Sequence, residues 1–157
     1  MNYKIGDTVV HWTYGVGSVI AIEYVQLAGN VQRYYVVEVE LLKLWVPIDD
    51  AAKGSLRLPM ESTQFRGLLD ILRTPGQPLP DRYFQRKIAL RERMQKRTPE
   101  AICQVIRDLR DRSRHHHLSS EDSSVLLSAE EYLLDEWVIS LGTERSKALR
   151  ELEVIFQ

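Results

Sequence analysis

Apolar and polar residues alternate along the first third of the chain. Tyr35, Val37 and Val39 fall on one side of an extended segment, and Glu38 and Glu40 fall on the other. Similar runs, rich in β-branched and aromatic residues and separated by turns, predict strands at residues 8–11, 17–23, 33–40 and 42–48. This spacing predicts a small β-barrel over residues 1–52. Pro47 should lie at the end or edge of its last strand, because proline cannot donate a ladder hydrogen bond.

The pattern changes to a helical period after Pro59. Phe65, Leu68, Leu69 and Leu72 are spaced i, i+3, i+4 and i+7, as on one face of an α-helix. The segment between the two patterns, residues 53–60, has no clean period and contains Pro59. We therefore expect a linker there.

Four further helices are predicted from capping residues, prolines and apolar stripes. Their expected N-caps are Asp81, Thr98, Ser119 and Thr143. Pro99 suits the first turn of the helix that Thr98 caps, and Gly142 suits the end of the helix that Ser119 opens. Residues 61–157 are therefore expected to form a compact bundle of about five helices, which makes this an α+β protein of two modules.

The net charge of −1 conceals an uneven distribution along the chain. Residues 81–114 contain eleven Lys and Arg against five acids, while residues 1–55 and 115–157 are both acidic. A basic segment of this kind is typical either of a polyanion-binding surface or of a solvated helix face with i,i+4 ion pairs, such as Glu92 with Lys96. Charge alone leaves both interpretations open.

Two adjacent aromatic residues open the predicted helix in this basic segment. Tyr83 and Phe84 are separated by about 100° around a helix, so one ring can face the bundle while the other points outward. Arg82, Arg86 and Lys87 flank them and suit contacts with phosphates, while an exposed ring suits stacking on a base step. Packing of both rings in the core is the alternative.

The residues give little support to enzymatic chemistry. The glycines of residues 15–17 lack a following Walker lysine, and no nucleophile elbow is present. Three consecutive histidines at residues 115–117 project in different directions, and Cys103 follows Ile102 in an apolar helical context. We expect no catalytic residues, no bound metal and no cofactor. A metal-dependent enzyme that uses the histidine loop is the weakest alternative.

Localisation is addressed by the cysteine count and by the hydrophobic runs. One cysteine permits no internal disulfide, which is compatible with a reducing compartment. No apolar run approaches the roughly 20 residues that cross a bilayer, and the first residues lack the layout of a secretory signal. We expect a cytoplasmic protein without a membrane partner.

The predicted β-module carries a set of motifs that resembles the CarD and CdnL family of bacterial transcription regulators. The matching residues are Tyr3, Gly6, Asp7, Tyr14, Gly15, Gly17, Glu23, Gly29, Tyr34, Tyr35, Val46 and Pro47. The resemblance implies a Tudor-like barrel that binds the β subunit of RNA polymerase. It assigns this contact to Lys43, Trp45 and Pro47, where Trp45 stands at a position that is often basic in relatives.

The resemblance continues through residues 65–73, 105–110, 118–119 and 130–133, so it covers nearly the whole chain. Coupling-factor helicases share the first module, but their ATPase motifs are absent from this sequence. In the short family members, the helical domain inserts a tryptophan into the minor groove at the upstream edge of the transcription bubble and supports the open promoter complex.

Counting back from Val105 without gaps puts Tyr83 at the position of that tryptophan. Arg86 then matches a basic neighbour, and Gln85 replaces another. The resemblance therefore implies a monomeric, nucleoid-associated regulator that binds promoter DNA through Arg82, Tyr83, Arg86 and Lys87. A protein interaction module that binds polymerase or another regulator without touching DNA is the main alternative.

Overall fold

In the computed structural model, which describes residues 2–96 and 98–157, the chain separates into two units between Pro59 and Met60. Each unit has its own cluster of buried hydrophobic side chains. The first unit is built mainly from strands and the second from helices. The predicted order, a β-module followed by a helical bundle, is confirmed.

The N-terminal unit is a five-stranded antiparallel sheet with the order β4-β3-β2-β1-β5. Its strands are β1 (Thr8–His11), β2 (Gly15–Leu27), β3 (Asn30–Val39), β4 (Leu42–Pro47) and β5 (Leu56–Arg57). Among the described residues, strand pairing stops at β4 and β5, so the sheet is not closed into the predicted barrel. The unit is nevertheless compatible with a Tudor-like fold. Pro47 is the last residue of the edge strand β4.

The end of this unit differs from the expected linker at residues 53–60. A short helix, α1 (Ile48–Asp50), runs into a π-helical turn at Ala51–Ser55, in which Gly54 adopts a φ of 101°. β5 then pairs with β1, and the hydroxyl of Tyr3 donates to the carbonyl of Leu56 at 3.1 Å. A strand of two residues is too short to show a period, so the sequence pattern could not reveal it.

Alternation along β3 places its apolar residues as predicted, with one addition. Tyr35, Val37 and Val39 are buried in the core of the sheet, while Glu38 is exposed. Val36, which points to the same side as Glu38, is also buried. The face of β3 that carries Glu38 is therefore buried in part.

The described residues of the C-terminal unit form five helices of ordinary length. They are α2 (Ser62–Leu72), α3 (Tyr83–Met94), α4 (Pro99–Ser113), α5 (Ser120–Leu141) and α6 (Arg145–Ile155). Apolar stripes from α2 and α4 meet α5 in one core, where the rings of Phe65 and Trp137 lie 5.7 Å apart. All four residues of the predicted α2 stripe are buried.

Two of the four predicted N-caps are confirmed. The Thr98 hydroxyl accepts from the amide of Ala101 at 3.2 Å, and the Ser119 hydroxyl accepts from the amide of Asp122 at 3.1 Å. The other two predictions are wrong by one residue, since Arg82 rather than Asp81 caps α3 and Glu144 rather than Thr143 caps α6. Neither of these residues makes a side-chain capping bond. The preference for Ser, Thr, Asp and Asn at the N-cap therefore could not identify these two positions.

Candidate functional site

One face of the sheet brings together the three residues that were assigned to a polymerase contact. In the antiparallel register, Lys43 is opposite Glu38, Trp45 is opposite Val36, and Pro47 is opposite Tyr34. Since alternate residues of a strand point to the same side, Lys43, Trp45 and Pro47 share one face of β4. We call this surface the β4 face.

Trp45 is the largest exposed side chain of the β4 face. It is 51% exposed, although it lies in a strand. Its indole Nε1 donates to Oε2 of Glu23 at 2.8 Å, and Glu23 belongs to β2, beyond β3. The indole therefore reaches across β3 and presents apolar surface on the same face of β4 as Lys43.

The aromatic pair of the basic segment lies in the first turn of α3. Phe84 is 74% exposed, whereas Tyr83 is 38% exposed. Their ring centroids are 5.2 Å apart, with an angle of 75° between the planes. The more exposed ring therefore belongs to Phe84, not to Tyr83, which the resemblance had singled out.

Tyr83 and Lys87 both interact with Glu121, in the first turn of α5. A hydrogen bond with this carboxylate raises the pKa of Tyr83, and the same bond lowers the pKa of Glu121. Lys87 Nζ lies 3.7 Å from Oε2 of Glu121. These contacts hold the Tyr83 ring against α5 and partly neutralise Lys87.

Arg86, which the resemblance assigned to the DNA contact, is a buried residue of the bundle. Its side chain is 7% exposed, and its Nε donates to Oδ2 of Asp122 at 2.8 Å. Its Nη1 also donates to the carbonyls of Pro80 and Asp81, at 3.1 and 2.9 Å. These contacts connect Arg86 to α5 and to the segment before α3, so the side chain fixes the start of α3 from inside.

Sequence reasoning missed the stripe that follows Phe84 along α3. Ile88 and Arg91, at i+4 and i+7 from Phe84, are both exposed. The signal was available, because Phe84, Ile88 and Arg91 recur at the i, i+4 and i+7 spacing of one helix face. We call Arg82, Phe84, Lys87, Ile88 and Arg91 the α3 face.

Most of the other described cations in residues 81–114 are already paired within the bundle. Arg93 and Arg107 share the buried carboxylate of Asp108, and Arg112 pairs with Asp81. Arg110 bridges Glu130 and Glu153. The charge of residues 81–114 thus serves two purposes: α4 uses its arginines largely for packing, while α3 keeps several exposed.

The other candidate chemical groups do not assemble into a site. Cys103 is fully buried, and burial raises the pKa of its thiol to about 12. Within residues 2–96 and 98–157, no three His, Cys, Asp or Glu side chains are grouped to hold a metal ion. No helix in the described part of the chain is long and apolar enough to span a membrane.

Both units match known protein-family models. The model of the CarD-like/TRCF RID domain matches residues 3–58, and the model of the CarD C-terminal domain matches residues 67–153. The chain belongs to the CarD-like family. CarD-like proteins are transcription factors that interact with RNA polymerase, and this chain carries both of the family's domains.

A curated relative supports the CarD-like assignment over nearly the full length. The chain is 20% identical over 142 residues to YdeB, a candidate transcription factor of Bacillus subtilis (strain 168). The similarity covers 89% of this chain and 93% of YdeB. It therefore spans both units.

Proposed function

We propose that this CarD-like protein is a non-enzymatic transcription regulator that binds the β subunit of RNA polymerase through the β4 face. The α3 face would bind promoter DNA near the upstream edge of the bubble and change the stability of the open complex. The protein would act in the cytoplasm on nucleoid DNA and be a monomer when free.

The observation that carries the polymerase contact is the half-exposed indole of Trp45. Tryptophan is enriched among the residues that dominate binding energy at interfaces, especially beside groups that exclude water. Lys43 and Pro47 lie on the same face and extend the contact along β4. A mainly apolar anchor here replaces the basic residue that relatives often carry.

The DNA contact is supported by the composition of the α3 face. Phe84 and Ile88 present apolar surface at the start of the helix, and Arg82, Lys87 and Arg91 surround it with positive charge. Proteins that bind the minor groove combine apolar wedges between base steps with cations on the flanking phosphates. Arg86 contributes by positioning this turn.

Phe84 is better placed than Tyr83 to act as the wedge, because Tyr83 is held against Glu121. Tyr83 would support the neighbouring ring and contact the groove edge. Regulation would follow from differential affinity, since a factor shifts an equilibrium between closed and open complexes only by the difference in its binding to the two.

Binding to an isolated β-lobe of bacterial RNA polymerase tests the β4 face. We expect Trp45→Ala to weaken binding by at least tenfold, because truncating a central aromatic anchor commonly costs about 2 kcal/mol or more. Tyr24→Ala is the matched control, because Tyr24 is exposed on the opposite side of β2. Equal loss in both variants, or no binding by the wild type, would exclude the β4 face as the polymerase contact.

A second candidate function is a protein interaction module that never touches DNA. It is favoured by the internal pairing of Arg93, Arg107, Arg110 and Arg112, which leaves fewer cations than the sequence implies. Salt dependence separates the two functions, because log K for DNA changes by about −0.9 for each phosphate neutralised, per tenfold change in salt. A flat response would favour the interaction module.

A further inference from the structure

We propose that the C-terminal unit binds a small anionic amphiphile in a cavity formed by α2, α5 and α6. The cavity measures about 840 Å³, within the range of roughly 300–1,000 Å³ that is typical of small-molecule sites. None of its lining residues belongs to the β4 face or to the α3 face. The proposal is therefore independent of the polymerase and DNA contacts.

One side of the cavity is a continuous stripe of α6. Lys147, Arg150, Glu151, Val154 and Ile155 all line it, at the i, i+3, i+4, i+7 and i+8 positions of a single helix face. The two cations come first and the two apolar residues come last. With a rise of 1.5 Å per residue, Lys147 and Val154 are separated by about 10 Å along the helix. The stripe thus offers an anion-binding end and an apolar end.

The cations at the first end are free to bind an anion. Neither Lys147 nor Arg150 forms an ion pair within the described part of the chain. The third cation of the lining, Arg73, is already paired with Asp70 at 3.2 Å. A carboxylate or phosphate held by Lys147 and Arg150 would form charge-assisted hydrogen bonds with both.

The apolar part of the cavity is formed by Leu69, Trp137, Val154 and Ile155. Val154 is 62% exposed, so it presents open apolar surface without a protein partner above it. Trp137 is fully buried, and its indole N–H lacks a hydrogen-bond partner within the described residues. Trp137 contributes to the apolar lining from α5.

Size and charge together favour a small amphiphile over a macromolecule. Two free cations beside one apolar surface suit a single acidic headgroup with a short hydrocarbon tail. A DNA duplex carries a phosphate backbone with no hydrocarbon segment that could cover the apolar lining of Leu69, Val154 and Ile155.

Titration with sodium decanoate below its micellar concentration tests the site. Replacing Trp12 and Trp45 by phenylalanine leaves Trp137, at the floor of the cavity, as the fluorescent reporter. We expect a saturable change in its emission, with decanol binding at least tenfold more weakly because it lacks the charge. The double variant Lys147→Ala/Arg150→Ala should weaken decanoate binding by about tenfold or more. A tenfold loss of affinity corresponds to about 1.4 kcal/mol of binding free energy.

Arg66→Ala/Lys96→Ala is the matched control, because both residues are exposed and lie outside the cavity. It should leave decanoate binding unchanged. Val154→Asp, at an exposed position, should abolish binding by placing a negative charge at the apolar end. Decanoate binding that does not saturate, that decanol matches, or that survives both cavity variants would overturn the proposal. So would a Lys147→Ala/Arg150→Ala protein that loses affinity for duplex DNA but keeps its affinity for decanoate.

Discussion

Arg86 and Asp122 form a buried ion pair between the first turn of α3 and the first turn of α5, with Nε and Oδ2 2.8 Å apart. The adjacent Glu121 contacts Tyr83 and Lys87 from the same turn of α5. Two consecutive acids of α5 therefore set the orientation of the turn that carries Phe84. The shape of the α3 face depends on residues far from it in sequence.

Arg86→Met should destabilise the C-terminal unit by about 3–5 kcal/mol, because it leaves the buried carboxylate of Asp122 without a partner. Urea unfolding followed by circular dichroism measures this loss. Arg86→Met/Asp122→Leu should recover part of it, since both charges are then removed. If the single exchange proved neutral, the ion pair would not hold α3 in place. Arg82→Ala, at the exposed cap, is the control.

Phe84→Ala should shorten the lifetime of the open complex more than Tyr83→Ala does. Base stacking on an aromatic side chain contributes about 1–3 kcal/mol, so we expect roughly a 5- to 150-fold effect at Phe84. Lifetimes after heparin challenge on one promoter provide the measurement. A larger effect at Tyr83 would show that the half-buried ring is the wedge. No effect at either position would remove the aromatic pair from the mechanism.

Lys87→Ala and Arg91→Ala should each reduce the salt dependence of DNA binding. If each cation neutralises one phosphate, the slope of log K against log salt should decrease in magnitude by about 0.9 per variant. Fluorescence anisotropy at several salt concentrations gives the slope. Arg66→Ala, an exposed exchange on α2, should leave it unchanged. Identical slopes in all three variants would contradict phosphate contacts by the α3 face.

Cys103 should not react with thiol reagents while the protein is folded. Burial raises the pKa of its thiol to about 12, so almost no thiolate exists at pH 8, and the side chain is inaccessible. The rate of labelling by a chromogenic disulfide, with and without urea, checks this. Stoichiometric labelling of the native protein within minutes would mean that α4 opens far more readily than its packing implies.

Gly17→Ala should destabilise the sheet by about 1–3 kcal/mol through overpacking. A Cβ at this position would lie 2.6 Å from the carbonyl oxygen of Glu38, on the neighbouring β3. Gly67→Ala, in the middle of α2 with open space around it, should instead stabilise by about 0.5–1 kcal/mol. Thermal unfolding of the two variants should show a lower melting temperature for Gly17→Ala and a higher one for Gly67→Ala than for the wild type. A neutral Gly17→Ala would show that β3 can move away.

The elements that sequence alone predicted well are those with local signals. The stripe from Phe65 to Leu72 and the caps at Thr98 and Ser119 depend on residues within a few positions of one another. The environment of Arg86 was not predictable in this way, because its partner Asp122 is 36 residues away and an arginine among other cations suggests a surface. The same reasoning overestimated the free charge of α4, whose partners lie on other helices.

The hydrogen bond between Trp45 and Glu23 lowers the entropic cost of binding a partner at the β4 face. Ordering a mobile side chain at an interface costs about 0.5–1.5 kcal/mol. In this sheet a hydrogen bond already holds the indole across β3 before any partner arrives, so part of that entropic cost is met during folding. The ring acts as a rigid template, and an incoming surface has to fit one shape.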